Sequence, residues 1–185
     1  MKTKKEVEEV LLENAKYSSE WINIASKLIA AGQLTEELAS KYSASQLSVF
    51  DDVLNESKDR EGVDKLLEIM LNPELNDTQM RVLYIAFQKG VPVETLEIYA
   101  NPEIPYNKTN YILSAVAEDK VDLSDYIEFS ADQIYEIFAG VKDGVDYKQY
   151  AKKCISAEDM SLYRHALAIG RTVEYNLTTK VMTIK

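Results

Sequence analysis

His165 and Cys154 are the chain's one histidine and one cysteine, and between them they bound its nucleophilic chemistry. A Ser-His-Asp triad would have to use His165, which helical periodicity places mid-helix beside Arg164 and Leu167. A Cys-His pair would need Cys154, which lies 11 residues earlier (165 − 154) across a helix start. The expected role of His165 is therefore structural, and no catalytic residue is expected. A single cysteine excludes an internal disulfide and a CxxC zinc site, and a single histidine excludes HExxH. No GxGxxG or GxxxxGK[ST] occurs, so neither cofactor nor metal is expected. The acidic stretch 55–62 has the outward look of a calcium loop, but its glycine is misplaced and Leu66 stands where the twelfth position requires glutamate. Carboxylates could pair as the acid and base of a glycosidase, but among 31 acidic residues none are singled out.

Recognition is the chemistry left. Tyrosine is enriched, with 12 residues, ten of them from Tyr84 to Tyr175. Several fall on core stripes, whereas Tyr106, Tyr135 and Tyr147 are expected at the surface. Phenols beside carboxylates suit protein recognition. The expected partner-binding patch is Glu118, Asp119, Asp122, Asp125, Tyr126 and Glu128.

Charge narrows the partner. The chain has 185 residues, 46% hydrophobic and 28% charged, with 31 acidic against 21 basic residues and a formal charge of −10. That composition fits a folded chain with a real core. Residues 51–77 hold nine acidic and three basic side chains, 118–146 nine and two, and 147–185 three and seven. Such acidity argues against direct nucleic-acid binding, because phosphate affinity comes from Lys and Arg. It favours a basic protein partner. Acidic residues follow the basic start where a signal peptide needs apolar ones. The longest apolar run, 82–87, is six residues, far short of the roughly 20 that span a bilayer. The expectation is a cytoplasmic protein with no membrane role.

Positioning these residues falls to a repeat. Gly32, Gly62, Gly90, Gly144 and Gly170 recur at one place, and Lys120 holds it once more. Upstream of each stands an expected N-cap: Ser18, Ser43, Asn76, Asn107, Ser130 and Ser156. Ser43 with Gln46 and Ser130 with Gln133 match the capping box, and a terminal glycine supplies the left-handed residue that closes a helix. Each repeat thus opens with a helix of roughly 12 to 13 residues. Positions +4, +7 and +11 from the cap are apolar (Leu47, Phe50 and Leu54; Met80, Leu83 and Phe87) except after Asn107, where the stripe is rotated through Ile112, Ala115 and Val116. A second helix of roughly 6 to 9 residues is expected after the glycine, with Pro73, Pro102 and Pro105 in the connectors.

The fold class expected is all-α, with short helix-hairpin repeats stacked as a small α-solenoid and a β-like C-terminal tail. The expected organisation is a single elongated domain, 1–185. It has an N-terminal capping helix at 1–16, about six hairpins over 17–170, and an atypical tail at 171–185. That tail alternates Val173, Tyr175 and Leu177, then Val181, Met182 and Ile184, and could offer a strand to a partner or a second copy.

Over residues 72–170, Asn72-Pro73, Gln79-Met80, Gly90 and Tyr99-Ala100-Asn101-Pro102 make the chain resemble short helix-hairpin repeat proteins of Gram-positive bacteria and their mobile elements, themselves uncharacterised. Gln133-Ile134, Gly144-Val145-Asp146 and Tyr150-Ala151 follow the same pattern. Pro92 in place of the turn aspartate, Lys120 in place of glycine, and Arg171-Thr172 depart from it. The resemblance implies a hairpin solenoid of mobile-element origin and supplies no catalytic residues. Charge and resemblance together lead to the expectation of a non-enzymatic inhibitor, anti-CRISPR-like, that covers the cationic groove of a nucleic-acid-handling host protein. The alternative is a nucleic-acid-binding regulator using Lys148, Lys152, Lys153, Arg164 and Arg171.

Overall fold

Residues 3–13, 16–57, 60–176 and 178–185 are described by a computed structural model. The chain divides into two compact units, Met1–Gln88 with Pro92–Pro102, and Lys89–Val91 with Glu103–Lys185. In the first unit the helices are α1 (Lys4–Leu12), α2 (Ser19–Ala30), α3 (Glu36–Ala39), α4 (Ala44–Ser57), α5 (Val63–Met70), α6 (Asp77–Gln88) and α7 (Val93–Tyr99). Here α1 packs on α2, α2 on α4 and α4 on α6, while α5 and α7 pack together and against the long helices. The second unit holds α8 (Tyr106–Ser114), a π-turn (Ala115–Asp119), α9 (Ala131–Asp143) and α10 (Ala157–Ala168), with 3-10 turns at Ser124–Tyr126 and Tyr147–Gln149. It ends in strands β1 (Val173–Asn176) and β2 (Val181–Ile184). In it α8 packs on α9, and α9 on α10.

Five of the six expected caps are in place. Ser18, Ser43, Asn76, Ser130 and Ser156 each accept the backbone N–H three residues on, at 2.9–3.2 Å. Asn107 does not cap. It lies inside the first turn of α8, whose cap is Pro105. Moving the origin to Pro105 explains the rotated stripe, because +4, +7 and +11 become Thr109, Ile112 and Val116. In every repeat the +4 and +7 residues are then buried, from Ile22 and Ala25 to Met160 and Tyr163. Pro105 to Lys120 spans 15 residues, against 14 from Ser18 to Gly32, Asn76 to Gly90, Ser130 to Gly144 and Ser156 to Gly170. The π-turn absorbs the extra residue, as single-residue insertions in helices do.

The five repeat glycines and Lys120 all have left-handed backbones, Lys120 at φ 58°. A lysine there bears a Cβ penalty that glycine avoids. Lys120→Gly is expected to raise stability by about 0.5–1 kcal/mol in urea unfolding.

The second segments correct the expectation of 6 to 9 residues in three repeats. Only α5, with eight, and α7, with seven, reach that length; α3 has four and the two 3-10 turns three each. Connector length is the reason. Gly62 to Asn76 spans 14 residues and Gly90 to Pro105 spans 15, whereas Gly32 to Ser43 spans 11, Lys120 to Ser130 10 and Gly144 to Ser156 12. The shorter spans must still turn at both ends, which leaves room for about one helical turn.

A polar stitch joins successive repeats. In α2, α4, α6, α8 and α9 the third residue of the helix sends its side chain to carbonyls just ahead of the next cap. Trp21 Nε1 donates to Tyr42 O at 2.9 Å. Gln46 Nε2 donates to Pro73 O and Leu75 O, Gln79 Nε2 to Asn101 O and Pro102 O, and Gln133 Nε2 to Lys153 O and Ile155 O. Lys108 Nζ, third residue of α8, reaches Ile127 O at 2.9 Å. Each glutamine also accepts its own cap's N–H through Oε1. An amide accepts at one end and donates at the other, whereas an ionised glutamate only accepts, so glutamine serves here at neutral pH.

Both termini are closed by different structures. The expected N-terminal helix is α1, capped by Thr3 and ending at Leu12; residues 1–2 and 14–15 of the expected 1–16 segment lie outside the described residues. The β-like tail is an antiparallel hairpin pairing Val173 with Ile184 and Tyr175 with Met182. Tyr163 Oη donates to Val173 O at 3.0 Å, and Tyr175 Oη to Asp159 at 3.1 Å, which anchors the hairpin on α10. Leu177 lies outside the described residues.

Candidate partner-binding site

Two single-turn segments of the second unit, Ser124–Tyr126 and Tyr147–Gln149, bring the acidic and aromatic residues together. The Lys108 bond to Ile127 O ties down the first. Tyr150, fully buried, ties down the second by donating to Glu136 O at 3.0 Å. Gly140 makes room for it, since a Cβ there would overlap the Tyr150 hydroxyl oxygen.

Tyr126 and Tyr147, each half-buried, meet edge-on with centroids 5.9 Å apart, and Tyr126 rests edge-on against Phe129 at 5.4 Å. Burial first, then the nearby charges, raises both phenols above their ordinary value: Tyr147, Asp125 and Asp146 act on Tyr126, and Asp146, Asp122 and Asp125 on Tyr147. Both phenols therefore stay protonated at neutral pH. Asp122 Oδ1 accepts the Ser124 N–H at 2.8 Å, which shapes the first turn, and Asp146 accepts from Gln149 at 3.3 Å. Asp125 is exposed. The surface so formed is a pair of ring edges framed by three carboxylates.

The six expected residues are divided by this geometry. Asp122, Asp125 and Tyr126 lie in the cluster. Glu128 is exposed with Lys153 at 4.0 Å, a loose pair that water screens. Glu118 and Asp119 are engaged elsewhere. Glu118 pairs with Lys89 and, at 2.6 Å, with Lys142, and Lys142 also holds Asp119 at 2.9 Å. Two acids thus meet two lysines, and little charge is left for a partner. The hydrogen bond from Lys142, and then that from Lys89, holds the Glu118 carboxyl at about 2. A depressed folded value means this pairing contributes fully above the ordinary 4.5 and is lost as pH falls through about 2. Carboxyl NMR titration should find the Glu118 midpoint near that low value; a midpoint at the ordinary value would contradict the pairing.

Asp146 completes the cluster although it lies outside the expected patch, and Tyr147, expected at the surface, joins it. The available signal is Asp146, which stands two residues past the left-handed Gly144 as Asp122 stands two past Lys120, with Tyr147 next to it. Tyr106 and Tyr135 are exposed as expected, at 50% and 45%.

The remaining candidates have other engagements. His165 Nδ1 lies 2.7 Å from the carbonyl of Ser161 one turn back, and Cys154 is exposed. Among the described residues no three His, Cys, Asp or Glu side chains are grouped to hold a metal ion. Arg164, counted in the expected basic stretch, is only 12% exposed and bound to Glu136 at 2.9 Å and to Asp143. Among the described residues no helix is long and apolar enough to cross a membrane. Compared with protein families, curated proteins and solved structures, the chain matches none.

Proposed function

We propose that this chain is a non-enzymatic, protein-binding helical repeat protein that recognises a basic partner through Asp122, Asp125, Tyr126, Asp146 and Tyr147. The observation that carries this reading is the cluster itself. Two protonated phenols present apolar edges and hydroxyl donors, and three carboxylates around them favour Arg or Lys. Arg suits such a surface best, because its guanidinium stacks on rings and bonds carboxylates with the same group. In this reading the hairpins stack as an α-solenoid in the cytoplasm. The resemblance to mobile-element repeat proteins sharpens the partner to a nucleic-acid-handling host protein whose cationic groove is covered, as an anti-CRISPR inhibitor would cover a CRISPR nuclease. The nucleic-acid-binding alternative is weakened by Arg164, whose charge is spent on Glu136 and Asp143.

The test is a pull-down from nuclease-treated bacterial lysate with the parent and the Asp125→Asn/Tyr126→Ala/Asp146→Asn variant. One basic protein retained by the parent and lost by the variant is expected. Retention by both, or recovery that requires intact nucleic acid, would contradict the reading.

A further inference from the structure

The first unit carries an apolar groove between α2, α4 and α5. Its floor is Leu28, Leu34 and Phe50, all buried, its walls are the half-buried Leu54 and Leu67, and Leu71 stands at the mouth, 38% exposed. Beside it the first repeat returns through the four-residue α3, where the next repeat has the eight-residue α5. The cavity measures about 220 Å³. That is below the 300–1,000 Å³ typical of whole small-molecule sites, so it suits one or two anchoring side chains.

Charge decides the occupant. Asp64 and Glu68 line the groove from one face of α5, one turn apart and both exposed, and among the described residues no basic side chain lines it. Like charges at this spacing repel. The one lysine of α5, Lys65, is directed instead to Glu94 at 3.2 Å and Glu97 at 3.5 Å on α7. The groove therefore combines an apolar slot with two carboxylates that α5 does not neutralise. We propose that it docks an amphipathic basic helix of a partner protein, with a large apolar side chain entering the slot and Lys or Arg one turn away meeting Asp64 and Glu68. Such cations would relieve the repulsion along α5, a gain that a neutral or acidic helix does not offer.

This site shares no residue with the phenol cluster and is tested separately. The probe is a Leu/Lys amphipathic peptide of about 14 residues, near the shortest length that holds a helix. It is titrated into the ¹⁵N-labelled full chain beside an isomer of equal composition with its leucines spread around the helix. Amide shifts are expected at Leu34, Leu54, Leu67 and Leu71. The isomer, and the Asp64→Asn/Glu68→Gln variant with the original peptide, should each bind about fivefold more weakly or worse. These two exposed substitutions leave the core untouched, so a folding defect does not mimic the result. Absence of binding, equal affinity for both peptides, shifts scattered over other acidic surfaces, or an unchanged affinity in the variant would overturn the proposal. The Asp125→Asn/Tyr126→Ala/Asp146→Asn variant should bind the peptide as the parent does; loss there would place the peptide on the phenol cluster and overturn the groove assignment.

Discussion

Gly140→Ala is expected to destabilise the chain by about 2 kcal/mol, although alanine is the better helix former by about 1 kcal/mol. The added Cβ would overlap the Tyr150 hydroxyl and stand 3.1 Å from both Tyr150 Cζ and Tyr147 Cβ. The ring cannot yield, because Tyr150 is fully buried and its hydroxyl is committed to Glu136 O. Backing away would also shift the Tyr147–Gln149 turn and so the rings of the cluster. Tyr150→Phe alone should cost about 1 kcal/mol, the worth of one hydrogen bond. In that background Gly140→Ala should cost less than about 1 kcal/mol, since only the 3.1 Å contacts remain tight. Urea unfolding of the four members of this cycle checks the coupling. Additive effects would mean that Gly140 and Tyr150 do not share this space.

Gln133→Glu tests the stitch between repeats, and its expected cost is about 3 kcal/mol at neutral pH. The substitution removes the donor to Lys153 O and Ile155 O and sets a carboxylate against two carbonyls at a position only 9% exposed. Desolvation and the facing carbonyls raise the introduced acid's folded value above its unfolded one. The deficit therefore shrinks as pH falls through that raised value, where the protonated acid can donate to one carbonyl. Gln133→Met, which carries no charge, should cost less at neutral pH and show no such recovery. Melting both variants at several pH values separates the two. An equal, pH-independent loss would reduce the stitch to simple packing.

The parts of this fold legible in the sequence are those where backbone geometry demands a residue type. Left-handed helix ends call for glycine, and Gly32, Gly90, Gly144 and Gly170 follow α2, α6, α9 and α10 in that way; Gly62 does not close α4, which ends at Ser57, but is the left-handed N-cap of α5, and Lys120 takes the left-handed place after the π-turn. Ser or Asn with Gln three residues on marks a helix start at all three places where the pattern occurs. The fourth repeat departs from the expected register because its cap, Pro105, has no capping side chain, while Asn107 two residues later imitates one. Thr109 also interrupted the apolar pattern, although it is buried at 2% exposure. The return segments are shorter than their periodicity suggests because periodicity in a short apolar stretch does not reveal how many residues the turns consume.

The candidate site was half legible for a similar reason. Local charge density marked Asp122, Asp125 and Tyr126. It also marked Glu118, whose lysines lie 29 and 24 residues away along the chain. Asp146 escaped notice because it belongs to the next repeat and joins the cluster only through packing of the two turns. Gly140 stood outside the glycine periodicity, and its reason is the Tyr150 hydroxyl rather than a turn.

The central functional claim is that the phenol cluster recognises a basic partner by short-range charge and ring contacts. Its most direct test is the affinity of the captured partner for the parent and for the Asp122→Asn/Asp125→Asn/Asp146→Asn variant from about 0.05 to 0.5 M salt, where exposed charges pass from weakly to strongly screened. The parent should lose affinity steeply with salt, and the variant should bind about tenfold or more weakly at low salt with a flatter dependence. Parallel curves of equal affinity would contradict the claim.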